Sequence, residues 1–171
     1  MSRLAPPETP QDWDDTRALC AAYLDHLSAA DPGAAAVLAA NYPQAARAAL
    51  MADLPRLHTP PSGLCLLARD AGGRAIGTGG YVQFDAATAE LKRVYVSPQG
   101  QGRGLGRVLV TALIDGARDM GYANVVLDTM HFLTPAIRLY LDLGFTERAG
   151  YLPSHATLGP LVRCFEKDLT Q

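Results

Sequence analysis

The chain has 171 residues, 49% of them hydrophobic and 19% charged, which suits one well-filled core and is short for two. Its formal net charge of −2 excludes the broad basic footprint of a nucleic-acid binder. The three cysteines stand far apart with no CxxC pair, and none of the four histidines has metal-ligand spacing, so no disulfide framework and no metal centre is expected.

Residues 1–10, "MSRLAPPETP", lack the basic start and apolar core of a signal peptide, and no apolar run reaches membrane-spanning length. A cytoplasmic protein with no membrane partner is therefore expected, its cysteines free in a reducing compartment. A helix-start signature follows: Thr9 as N-cap, Pro10 in the first turn, and Asp12, Asp14 and Asp15 at the positive end of the dipole. The alanine-rich segment 33–54 is helix-prone, and Pro43 is expected to split or kink it.

At "HTPPSG" (58–63) the chain loops, and the period then changes from helical to strand-like. "LCLLAR" (64–69), "AIGTGGYVQFD" (75–85) and a third run ending near Val96 read as an antiparallel meander joined by short turns. Beyond the glycine-rich stretch, Leu105, Val108, Leu109, Ala112, Leu113, Ala117 and Met120 follow helical spacing, with Gly121 where a C-terminal glycine belongs. "NVVLDT" (124–129) is apolar enough for a strand buried on both faces, and strand–helix–strand implies a parallel pair with a right-handed crossover. A further helix (Thr134 to Leu143) and a closing strand, "VRCFEKDL" (162–169), complete the chain. The architecture expected is α+β in a single domain over 1–171, its mixed sheet mostly antiparallel.

The most informative stretch is "VYVSPQGQGRGLGRVLV" (94–110), where Gly100, Gly102, Gly104 and Gly106 alternate between a strand and a helix start. Unpaired backbone N–H groups and the helix dipole make such a junction an anion site, and glycines keep the main chain bare there. The dinucleotide fingerprint GxGxxG fails in every register, which weakens a nicotinamide-dependent oxidoreductase, and no Gly-Lys-Ser/Thr follows for a nucleoside-triphosphate loop. A flexible surface turn is the plain alternative.

What fits is Gln101-Gly102-Arg103-Gly104-Leu105-Gly106 preceded by Val96-Ser97-Pro98. With "AIRLYLDLGF" (136–145), similar to the signature A-x-x-L-Y-x-x-x-G-F, the chain resembles the GCN5-related N-acetyltransferase (GNAT) superfamily over about residues 64–148. The resemblance implies a central splayed pair of parallel strands flanked by helices, acetyl-CoA as acyl donor and an amine acceptor. It also implies that main-chain amides of Gln101, Gly102, Arg103, Gly104, Leu105, Gly106 and Arg107 wrap the pyrophosphate. The pantetheine arm would pair with the strand around Val94, Tyr95 and Val96. Arg103 and Arg107 either screen phosphates or form a solvated helix face. Homodimers are frequent in the family, so a homodimer is a candidate assembly.

Acetyl transfer needs a group to take the proton of an amine whose pKa is about 10.4 when lysine-like, and a proton for the departing thiolate. Tyr140 matches the motif tyrosine that commonly protonates sulfur in the family, and its alternative is packing between helix and sheet. Leu133 stands where many members carry a cofactor-binding Asn. Glu90 lies eleven residues before Gln101, the offset of the general-base glutamate in the histone-acetylating branch; otherwise it is a strand carboxylate paired with Lys92 or Arg93. Tyr81, Gln83, Asp128 and His131 are candidates to line the acceptor pocket, whose walls fall in 28–42 and 151–160. The rival reading is a non-catalytic acyl-CoA-binding or sensor domain on the same fold.

Overall fold

In the computed structural model, which describes residues 2–41 and 43–170, the chain runs β1 (Arg3–Ala5), α1 (Pro10–Ala30), α2 (Pro32–Asn41), α3 (Gln44–Leu57), β2 (Gly63–Arg69), β3 (Ala75–Gln83) and β4 (Thr88–Val96). It continues with α4 (Leu105–Asp119), β5 (Asn124–Met130), α5 (Thr134–Asp142), β6 (Thr146–Arg148), α6 (Pro153–Leu158) and, after a 3-10 turn, β7 (Val162–Asp168). The strands form one sheet ordered β1-β2-β3-β4-β5-β7-β6. Among the described strands only β4 and β5 pair in parallel, joined by the crossover helix α4, while α5 carries the chain from β5 across β7 to β6; the mixed, mostly antiparallel sheet matches the expected fold class.

Local chemistry explains the helix boundaries. Thr9 caps α1 by accepting from the Asp12 N–H at 3.1 Å, and the Asp12 carboxylate returns the favour to the Thr9 N–H at 3.0 Å. Asp12 also meets Arg69 at 2.6 Å, which holds its carboxyl well below the usual carboxylate range and pins α1 to β2. Pro43 splits the alanine-rich segment into α2 and α3 rather than kinking one helix. The three shortest elements, β1, β6 and α6, were not expected, because three to six residues carry too little periodicity to read.

The main core lies between the sheet and α4 with α5. Leu109, Val110 and Leu113 of α4 are fully buried against Val125, Leu127 and Phe165 of the central strands. A smaller cluster of Leu24, Leu27 and Leu38 joins α1 to α2, with Met51 of α3 and Met130 and Phe132 packed against it. All three cysteines are buried and free. No helix among the described residues is long and apolar enough to cross a membrane.

Candidate active site

Two irregularities of β4 shape the site. Its ladder with β5 comprises Thr88↔Asn124, Ala89↔Val125 and Glu90↔Val126 and then stops, although β4 runs on to Val96 and β5 to Met130. The strands splay there, leaving main-chain groups of β4 with no ladder partner on that side. On its other side, β4 sets Arg93 and Val94 against Gly79 alone, between the pairs Gly80↔Lys92 and Thr78↔Tyr95. This is a bulge, and it re-aims side chains. Arg93 sits at φ +53°, the single non-glycine residue at positive φ among those described.

A cavity of about 880 Å³ opens from the splay. Residues 94–96, 100–102 and 104–107 line it, facing Leu139 and Tyr140 of α5 and Tyr23 of α1. Every cofactor-binding residue named from the sequence except Arg103 therefore borders one space. The loop is built for a ligand to come close. Gly102 and Gly104 hold φ of +75° and +71°, and a Cβ placed on either would touch nothing of the protein within 4 Å. Gln101 donates to the Val96 carbonyl at 3.0 Å, tying the loop back to β4. Arg107 pairs with Asp142 at 2.9 Å, whereas Arg103 is exposed and lies outside the lining of this cavity.

Tyr140 is 6% exposed and packs edge-on against Phe145, with its ring also near Phe165. Burial, with Tyr23 and Asp128 nearby, pushes its phenol above the ordinary range, so it keeps its proton through neutral pH.

A second cavity of about 360 Å³ lies beyond the splay and shares Tyr23 as a wall. Leu24, Leu27, Leu38, Leu50 and Leu158 give it apolar sides, and Lys92, Arg93 and Asp128 give it a polar end. Parts of both segments expected to build the acceptor wall are here; Tyr42 lies outside the described residues. Of Tyr81, Gln83, Asp128 and His131, Asp128 alone lines this cavity. Its carboxylate stands 3.6 Å from Lys92 Nζ and 3.6 Å from His155 Nε2. The His155 side chain is 4% exposed, and its Nδ1 accepts from the Tyr151 and Leu152 N–H groups at 3.1 and 3.3 Å. The neutral ring therefore carries its proton on Nε2, directed toward Asp128.

The remaining candidates lie outside the lining of both cavities. Glu90 is 5% exposed and lines neither cavity: its Oε1 accepts from Lys92 Nζ at 2.7 Å and from the Tyr151 hydroxyl at 2.9 Å. Tyr81 is buried beneath α4, where its hydroxyl donates to the Gly116 carbonyl and its ring meets Tyr122 edge-on. Strand alternation points it into the main core. Gln83 is exposed at the end of β3, and His131 is exposed past β5 with its ring against Phe132. Tyr23, Lys92, Arg93, His58 and His155 were not named as site residues. Tyr23 reads as core in a helical pattern, and the partnerships of the others come from the bulge and from α6.

His58 backs Arg93. Its Nε2 lies 2.9 Å from the Arg93 guanidinium and its Nδ1 3.2 Å from the Tyr81 carbonyl. Burial first, and then the Arg93 charge, push its pKa down to about 4. The ring is thus neutral, with Nδ1–H donating and Nε2 accepting from Arg93. Among the described residues no cluster of His, Cys, Asp and Glu converges as a metal ion would require.

This combination of a splayed parallel pair, a bare loop at a helix start and a buried tyrosine on the following helix defines an acetyltransferase fold. Residues 17–145 match the acetyltransferase (GNAT) family, and the chain belongs to it. An uncharacterized N-acetyltransferase of Schizosaccharomyces pombe is 39% identical over 102 residues, 59% of this chain and 63% of that protein. N-acetyltransferase 8B of Rattus norvegicus is 31% identical over 61% of this chain and 49% of its own length. The chain thus spans between about half and two thirds of these curated relatives. The PaiA N-acetyltransferase of Thermoplasma acidophilum, solved in complex with coenzyme A, superposes with a TM-score of 0.71 over 98% of this chain and 99% of that one; at 15% identity it speaks to the fold alone.

The depressed His58 pKa gives a stability prediction. An unfolded histidine titrates near pH 6.5, so between about 6.5 and 4 the unfolded state takes a proton that the native ring refuses. Stability from this group is full above that window, falls as pH drops through it and levels below. Urea unfolding at a series of pH values should show the slope, and His58→Asn should remove about one proton's worth of it.

Proposed function

We propose that the chain is an acetyl-CoA-dependent N-acetyltransferase that passes the acetyl group directly to a primary amine while both substrates are bound. The observation that carries the reading is the splay after Glu90↔Val126. It opens the 880 Å³ cleft beside unladdered β4 backbone and next to a loop whose Gly102 and Gly104 leave room for a close ligand. The first N–H groups of α4 have no intrahelical partner, and with the helix dipole they suit a pyrophosphate. The extended edge of β4 at residues 94–96 suits an amide-bearing arm that adds as a strand would.

Acetyl-CoA, when bound, supplies an acetyl group activated as a thioester. The protein's own contributions follow from the geometry. Backbone N–H groups on the free edge of β4 are fixed donors for the carbonyl oxygen as it gains negative charge. Tyr140, on the cleft wall, provides the proton that sulfur needs on leaving. Its raised pKa does not defeat this role, since the same burial raises the proton affinity of a thiolate beside it. The carboxylate at the mouth of the second cavity is Asp128, so Asp128 is placed to hold and deprotonate the amine. Glu90 acts at one remove, by fixing Lys92 and Tyr151.

Gly104→Val puts a β-branched residue at φ +71° and a side chain into the ligand's space. Calorimetry should show coenzyme A binding lost while circular dichroism stays native; unchanged affinity in a folded variant contradicts the assignment. Tyr140→Phe should bind coenzyme A almost normally and lower kcat by about 10²–10⁴, the range for a lost general acid.

A further inference from the structure

The polar end of the smaller cavity holds two carboxylates and two cations, but they are not paired two by two. Glu90 and Lys92 meet at 2.7 Å and neutralise each other. Asp128 has only a 3.6 Å approach to that same lysine and to His155 Nε2, a buried nitrogen with no hydrogen-bond partner. Arg93 takes part in none of the ion pairs among the described residues; its polar partner is the ring of His58, which carries no charge at neutral pH. One anion and one cation therefore border the cavity incompletely compensated.

The cation is also held at a cost. Arg93 occupies the left-handed region on the β4 bulge, a strained conformation for a residue without special tolerance. Every other positive-φ position among the described residues is glycine. The bulge turns Arg93 to the same face as Lys92, next to the cavity, where strict alternation would have sent it away. A guanidinium offers five N–H donors in a planar fork suited to a carboxylate, and His58 engages one.

Resting on the acetyltransferase reading, we infer that the acceptor is a zwitterion with an apolar body: an amino acid whose ammonium meets Asp128, whose carboxylate meets Arg93, and whose side chain lies among Leu24, Leu27, Leu38 and Leu158. A simple cationic amine leaves Arg93 uncompensated and brings a third positive charge beside Lys92. A simple carboxylate leaves Asp128 in the same state. The cavity volume, about 360 Å³, is at the small end of ligand pockets and suits a molecule of amino-acid size. For transfer, the ammonium first releases a proton to solvent by way of Asp128. The free amine nitrogen then forms the C–N bond as the C–S bond breaks; its second proton goes to Asp128, and Tyr140 protonates the sulfur. The sum is ammonium plus thioester giving amide, thiol and one proton.

The test uses three probes that differ in a single charged group: L-phenylalanine, phenethylamine and 3-phenylpropionate. Binding is measured by calorimetry on the full chain, with and without saturating coenzyme A. Phenylalanine should bind about tenfold or more tightly than either relative, as charge-assisted hydrogen bonds imply. Asp128→Asn should erase its advantage over phenylpropionate. Arg93→Asn, which tolerates positive φ, should erase its advantage over phenethylamine, and Arg93→Lys should restore part of it. Phenethylamine binding as tightly as phenylalanine, an unchanged preference in folded Arg93→Asn, or no binding by any probe overturns the inference. Coenzyme A affinity is read in the same titrations: its absence would sink the acetyltransferase reading, while a charge-selective phenylalanine site would still register.

Discussion

The parallel ladder between β4 and β5 ends after three residue pairs, and the rest of the site depends on that ending. A backbone edge in a protein interior needs hydrogen-bond partners, and beyond Glu90 the β4 edge finds none in β5. The fold tolerates this because the edge opens into a cleft where water or an extended ligand can supply them. The sheet is thereby divided between two tasks. Its lower half, with Leu127, Val125 and Phe165 under α4, is a packed core, and its upper half is a slot between diverging strands.

The bulge at Arg93 and Val94 adds a second consequence to the same strand. Below it, alternation sends Glu90 and Lys92 to the α1 side and Leu91 to the core; above it, Val94 joins the core while Tyr95 meets Tyr23 of α1. One extra residue thus places two consecutive cations on one face. It also couples the smaller cavity to buried groups behind it, since Arg93 rests on His58, and His58 on the Tyr81 carbonyl. Lys92, Arg93 and Asp128 all border the cavity, and of these Lys92 alone has a close carboxylate partner, the buried Glu90 behind it.

Much of the donor site was legible because it depends on backbone requirements that leave a trace in residue type. Glycines at 102 and 104 are needed for positive φ, Gly121 and Gly144 mark helix ends, and the apolar run of β5 reflects burial. The smaller cavity was far less legible. Its walls come from seven helices and strands remote in sequence, and its charged end depends on a bulge that strict alternation hides. Glu90 illustrates the difficulty: its spacing from Gln101 is informative, yet one of its partners is the Tyr151 hydroxyl, sixty-one residues away. Tyr81 shows the opposite difficulty, a polar tip on a side chain whose ring lies in the core.

Backbone amide hydrogen exchange, with and without coenzyme A, tests the central claim most directly, because it reads the unladdered edge itself. The account predicts that coenzyme A slows exchange in two segments together, residues 93–96 of β4 and 102–107 at the start of α4, while β2 and β7 are unaffected. Protection confined to other segments, or none in β4 at saturating ligand, would contradict it.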